Sequence, residues 1–232
     1  MSAPFAVKLR RSEKLAGLLW LAVFLFLAGD LISLLLDALG LGGDLLRLNA
    51  VYFVTCFLIS AAVFWRFLRD SLCLAGKTLS RLIRGLLLGF FLYEFLQVGL
   101  GMLYEVLLPE LTSPNDDAIR AMANENFRLV TVLTVLLSPL IEEPLIRGLV
   151  FGWVREKSRP AAYLISAAVF AAMHVIGFIG SAPWTTLLPD LPLYALPGVA
   201  LCACYEMSGT IWGPILLHML INAVGMWAMT LG

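Results

Sequence analysis

Apolar residues in this chain do not alternate with polar ones; they come in blocks separated by short polar breaks. A bilayer's hydrocarbon core is about 30 Å thick and needs about 20 apolar residues per helix, and on that ruler the chain divides into about seven spans. They cover residues 15–38, 48–68, 84–108, 128–154, 160–180, 185–206 and 211–231. Gly and Pro inside several blocks do not disqualify them, because neighbouring helices and polar side chains can satisfy a freed backbone group. The pattern predicts an all-α, polytopic transmembrane bundle. No tandem repeat, low-complexity tract or soluble domain interrupts it, so residues 1–232 read as a single membrane domain. The first block, Leu15 to Leu36, follows Lys8, Arg10, Arg11 and Lys14 in the manner of a secretory signal. It is too long for a signal core and no small-residue cleavage site follows, so it reads as a retained first span.

Composition agrees: 61% of residues are hydrophobic and 14% charged, which makes lipid the solvent. Sixteen basic residues balance sixteen acidic ones, so nothing in the net charge points to nucleic acid. Their distribution is informative. With the N-terminus inside, twelve Lys and Arg fall at the inner ends and only Arg47, Arg120 and Arg128 at the outer ends. Since cytoplasmic loops hold the excess of Lys and Arg, this predicts a cytoplasmic N-terminus in a multi-pass protein of the cytoplasmic membrane. The longest outer loop, Pro109 to Phe127, reads as a solvated connector. Cys56, Cys73, Cys202 and Cys204 lack metal or redox spacing and read as packing residues.

Charged groups at membrane depth are costly and face partners inside the bundle. The fourth span concentrates them: Ser138-Pro139-Leu140-Ile141-Glu142-Glu143-Pro144-Leu145-Ile146-Arg147-Gly148. Glu143 and Arg147 are i, i+4 and share a face, whereas Glu142 is turned away by about 100°. Glu143 is therefore the paired acid and Glu142 the one free for chemistry. A buried ion pair that fixes packing is the plainer reading, but it leaves one carboxylate needing a proton or another cation. Pro144 cannot donate to the carbonyl of Leu140, which predicts a kink or an unsatisfied carbonyl beside the acids. The chain's two histidines lie deep in later spans: His174 four residues after Phe170, and His218 four residues before Asn222. By helical rise from the inner ends, Glu142, His174 and Asn222 lie at roughly 18, 21 and 16 Å, and Arg147 and His218 nearer 10 Å. Such groups can meet in one cavity, expected to open toward the cytoplasmic half. Asp190, between Pro189 and Pro192, reads as marking a broken helix or loop. Glu94 in the third span is divided between cavity lining and a packing hydrogen bond.

Glu142-Glu143-x-x-x-Arg147, Phe170-x-x-x-His174 and His218-x-x-x-Asn222, in this order on successive hydrophobic helices, resemble the motifs of the CPBP family of intramembrane proteases. That family comprises the CAAX prenyl endopeptidases and bacteriocin-processing enzymes and is also called Abi. The stretch from Gly198 to Glu206, followed by Ser208 to His218, resembles the family's approach to its last motif. The match covers about residues 134–226. The resemblance implies hydrolysis of a peptide bond in a membrane-associated protein or peptide, with Glu142 as general base on water and His174 holding that water. His218 and Asn222 are then implied to polarise the scissile carbonyl and stabilise the oxyanion, with Glu143 and Arg147 as the supporting pair.

No cofactor is expected. If a metal took part, Glu142, His174 and His218 would suit zinc with an open fourth position, but a His-Glu-x-x-His helix is absent and the metal-free reading is favoured. Two other classes compete. A transporter or proton relay would use the same groups to carry protons, although no symmetric halves or paired discontinuous helices are visible. A non-catalytic scaffold or immunity protein of the same fold would act through its surface. The substrate itself, whether a prenylated tail, a leader peptide or a C-terminal anchor, is not written in the sequence.

Overall fold

The computed structural model describes residues 5–231. Eight helices carry the described residues: α1 Arg11–Phe26, α2 Ala28–Ala38, α3 Leu45–Lys77, α4 Leu79–Leu107, α5 Pro114–Arg155, α6 Arg159–Val175, α7 Trp184–Ser208 and α8 Trp212–Ala228. No strand forms among the described residues, and the polytopic all-α bundle stands. Five of the helices, α3 to α7, are long and apolar enough to cross a bilayer, and α1 with α2 makes a sixth if the bent pair is one span. The remaining predicted span is α8, an apolar helix of 17 residues. At 1.5 Å per residue it is about 25 Å long, a little short of the hydrocarbon thickness.

Local chemistry sets the helix limits. Asp44 caps α3 by accepting from the Arg47 N–H at 2.9 Å, Ser158 caps α6, and prolines occupy the first turns of α5 and α6. Gly209 ends α7 in the left-handed region, φ 71°, and lets the chain reverse into α8 within a few residues. The first block is bent by 64° at Leu27 rather than running straight.

The outer segment expected as a solvated connector is helical from Pro114, with Asp116 and Asp117 in its first turn. It lies across the end of the bundle, where Ile119, Met122 and Ala123 pack with Val130, Met226 and Leu46. A break at Asn126 (φ −150°, ψ 82°) redirects α5 into the membrane. Asp190 likewise departs from expectation: α7 runs through Pro189, Pro192 and Pro197, and Asp190 is wholly buried, accepting from Ser113 Oγ at 3.2 Å. Partners from the capping segment accommodate what a loop was expected to provide.

The inner half of α5 is the centre of the molecule. Ile141, Leu145, Ile146, Leu149 and Phe151 have no exposed surface and pack with Phe64, Phe67, Leu201 and Ile215. A helix hydrophobic all round is a buried helix. Large apolar side chains on the rim, such as Phe91, Phe95 and Val106 of α4, face outward where lipid covers them. On α4's inner face the glycines serve close packing against α7. A Cβ on Gly85 would stand 2.8 Å from the Ser208 nitrogen, and one on Gly89 2.8 Å from Cys204 Cβ.

The basic residues of most loops and helix ends gather at one end of this bundle. Lys8 and Lys14 pair with Glu156, Arg66 with Glu13, Arg155 and Arg159 with Glu206, and Arg81 donates to the Met207 carbonyl. Glu156, outside the spans, shows the result. Partial burial raises its pKa, but the Lys8 hydrogen bond and the Lys14 and Lys8 charges outweigh that and hold it below its ordinary value.

Candidate active site

α5 departs from α-helical register on both sides of its acids. Val132–Leu137 and Pro144–Phe151 are π-helical, and the short α-helical piece Ser138–Glu143 lies between them. Pro144, which has no N–H to offer the Leu140 carbonyl, opens the second of these stretches, where the wider register pairs residues five apart. The predicted disturbance beside the acids is therefore a change of helix type, of the kind frequent at functional sites.

The two glutamates have separate surroundings. Glu143 has no exposed surface; its Oε1 accepts from Arg147 Nη1 at 2.9 Å and from His218 Nδ1 at 2.8 Å. Arg147 is equally buried. It donates to the Gly198 carbonyl at 3.3 Å and lies over the Phe170 ring with Cζ 4.1 Å from the centroid. Glu142 instead accepts from Ser138 Oγ through Oε1; the buried Oε2 of each acid has no protein partner.

Around Glu142 lies a cavity of about 960 Å³ whose lining includes His174, His218, Asn222, Ser138 and Thr134; Glu143 and Arg147 stand behind its wall. His174 Nδ1 donates to the Phe170 carbonyl at 2.8 Å, since a carbonyl only accepts, and this leaves Nε2 as its free ring nitrogen. The ring is stacked on Tyr194, centroids 4.2 Å apart at 12°. His218 likewise spends Nδ1 on Glu143 and keeps Nε2. Asn222 Nδ2 donates one proton to the Thr134 carbonyl at 2.8 Å and retains a second. Among the described residues no three His, Cys, Asp or Glu side chains are grouped so as to hold a metal ion. Glu142, His174 and His218 all line the one cavity.

The cavity does not open where the sequence led us to look. Its exposed lining residues, among them Phe26, Leu27, Asp30, Leu45, Asp116 and Gly225, belong to the end opposite the basic cluster, while Glu142, Phe170, Leu201 and His218 form its buried floor. Depth counts from helix ends place side chains in the bilayer but not the gaps between helices. Glu94 is absent from the lining.

Residues 124–224 match a family model described as "Type II CAAX prenyl endopeptidase Rce1-like". The resemblance to the CPBP family holds. The matched segment contains the three stretches, from Glu142 to Asn222, on which that resemblance rests. The chain is also similar, at 25% identity over 177 residues covering 75% of it and 68% of the relative, to a Bacillus subtilis (strain 168) protein named "Putative membrane peptidase YdiL". No solved structure matches.

Four residues that touch these groups went unassigned in the sequence. Ser138 and Thr134 precede Glu142 by four and eight positions on the same helix, where the i, i+4 rule was available for Ser138. Gly198 acts only through its carbonyl, and Tyr194 only through a tertiary stack; neither leaves a periodic signal.

Proposed function

We propose that this protein is an intramembrane endopeptidase of the cell membrane, hydrolysing a peptide bond of a membrane-associated protein or peptide by glutamate-activated water. The observation that carries this reading is the division of labour between the two acids. Both acids keep an Oε2 without a protein partner, but Glu143 stands behind the cavity wall with its Oε1 held by Arg147 and His218, while Glu142 lines the cavity together with His174, His218 and Asn222. The family match and the peptidase name of the Bacillus subtilis relative support the same class.

In this mechanism water sits between Glu142 Oε2 and His174 Nε2. Ser138 holds the other oxygen of Glu142, and the Phe170 carbonyl keeps the His174 proton on Nδ1 so that Nε2 accepts. Glu142 takes the water proton as the oxygen attacks the scissile carbonyl carbon. The developing oxyanion accepts a hydrogen bond from the second N–H of Asn222 Nδ2, and His218, oriented through Nδ1 by Glu143, polarises the same carbonyl. Fixed donors in a water-poor cavity are worth most at that moment. Glu142 then returns its proton to the leaving nitrogen. No step requires a metal.

The test is a comparison of membrane proteomes from cells carrying the wild-type protein or Glu142→Gln. The variant should accumulate to the same level yet leave one or more membrane proteins uncleaved. An unchanged proteome, with cleavage products intact, refutes the peptidase reading.

A further inference from the structure

The mouth of the cavity and the charge of the molecule point in opposite directions. At the closed end lie twelve Lys and Arg against four Asp and Glu; at the open end lie Arg47, Arg120 and Arg128 against nine acids. The contacts that seal the basic end are those between helix ends: Lys8 and Lys14 with Glu156, Arg66 with Glu13, Arg81 with the end of α7. Phe5 is buried beneath them, stacked on Tyr205 at 4.0 Å. A second cavity there, of about 600 Å³, shares no lining residue with the one that holds Glu142. Between the two stands the solid core of α5.

At the other end the cavity is continuous with the surface. The bend between α1 and α2 contributes Phe26, Leu27 and Asp30 to its rim, the start of α5 before its break at Asn126 contributes Asn115, Asp116 and Met122, and α8 with the residue that follows it contributes Gly225 and Met229. The charged residues of its lining, Asp30, Asp116 and Glu142, are all acidic. Lys and Arg mark the cytoplasmic ends of membrane helices, and this bias sets orientation.

We infer that the cavity opens on the non-cytoplasmic side of the membrane, so that the protein takes a membrane-anchored polypeptide segment whose scissile bond is presented from the outer leaflet. The sidedness stands on charge and cavity shape alone; the substrate class rests on the peptidase reading above. A prenylated cytoplasmic tail is thereby disfavoured, since it would meet the sealed basic end. An extended segment entering from outside passes an apolar, acid-rimmed mouth before reaching Glu142.

The experiment uses single-cysteine reporters in the full chain. Cys73 is the one exposed native cysteine and is replaced by Ser; Cys56, Cys202 and Cys204 are buried. Gly225→Cys reports the cavity, since a Cβ there meets nothing within 4 Å, and Gly29→Cys, with the same freedom and also in the lining, is the alternate. Glu110→Cys reports the acidic end and Lys157→Cys the basic end, both exposed. A membrane-impermeant maleimide applied to sealed cells should label the cavity reporter and Glu110→Cys, and should label Lys157→Cys only after permeabilisation. Labelling of Lys157→Cys in sealed cells overturns the orientation. Silence of both cavity reporters while Glu110→Cys reacts overturns the open mouth. If labelling comes out as expected but Glu142→Gln changes no membrane protein, the peptidase reading fails and the sidedness stands. If both hold, the bonds left uncleaved in Glu142→Gln cells should map to outer-leaflet segments, and their mapping to cytoplasmic tails would overturn the substrate class.

Discussion

Replacing Arg147 with Ala tests whether the supporting pair is structural as well as catalytic. The side chain has no exposed surface and holds Glu143, the Gly198 carbonyl and the face of Phe170 together. Its removal strands a carboxylate in a dry interior and empties the space of a long side chain. Breaking a buried pair from one side costs about 3–5 kcal/mol. At 1.36 kcal/mol per factor of ten, that lowers the folded-to-unfolded ratio by about two to four powers of ten. Against a typical stability of about 5–15 kcal/mol, such a loss is visible as reduced accumulation and earlier thermal unfolding in detergent. Cleavage should fall beyond what abundance explains, because Glu143 also orients His218 through Nδ1. The double variant Glu143→Gln with Arg147→Met removes both charges and should recover accumulation but not activity, since neutral replacement of a buried pair is tolerated far better than half-removal. Arg147→Ala that accumulates, melts and cleaves like wild type refutes the reasoning.

Three further outcomes follow from the same geometry. Asn222→Ala should lower the cleavage rate by about 10²–10³-fold, the usual loss for one oxyanion donor, with abundance little changed; a loss below threefold in a single-turnover assay would remove it from that role. Tyr194→Phe keeps the stack on His174 but loses the hydroxyl contacts to Ser113, Asn115 and Asp116, so it should retain more activity than Tyr194→Ala, which loses both. Equal rates in the two variants would show that the stack is idle. Purified protein stripped with a strong chelator should cleave at its original rate, and stoichiometric zinc whose return restores lost cleavage would make Glu142 a ligand instead of a base.

The parts of this molecule that were legible in its sequence are those encoded by local spacing. Long apolar blocks marked the helices, and i, i+4 spacing assigned Arg147 to Glu143 in preference to Glu142. What the sequence withheld depends on where helices stand relative to one another. The bend at Leu27 falls inside one predicted span with no Pro to mark it, and Gly29 and Asp30 just beyond it did not divide the block. Asp190 looked like a loop residue because its partner, Ser113, is 77 positions away on a segment that read as solvated. The direction of the mouth was misjudged for a related reason. Helix depth can be counted from loop ends, but a cavity is the space between helices, and that space widens toward the bend of α1 and α2 and the capping segment of α5.

The two π-helical stretches of α5 bear on which insertions and deletions the family of sequences could accept. A π turn holds one more residue than an α turn, so the chain leaves it nearly where it would have left without the extra residue. Loss of one residue within Val132–Leu137 or Pro144–Phe151 can therefore be absorbed by reversion to α-helix, with the helix on either side left in place. A deletion within Ser138–Glu143 has no such slack: it swings the downstream side chains by about 100° and carries Glu142 away from Ser138 and out of line with the cavity. Among aligned relatives of this chain, gaps in the fourth span should thus fall in the two flanking stretches and spare the six residues between them.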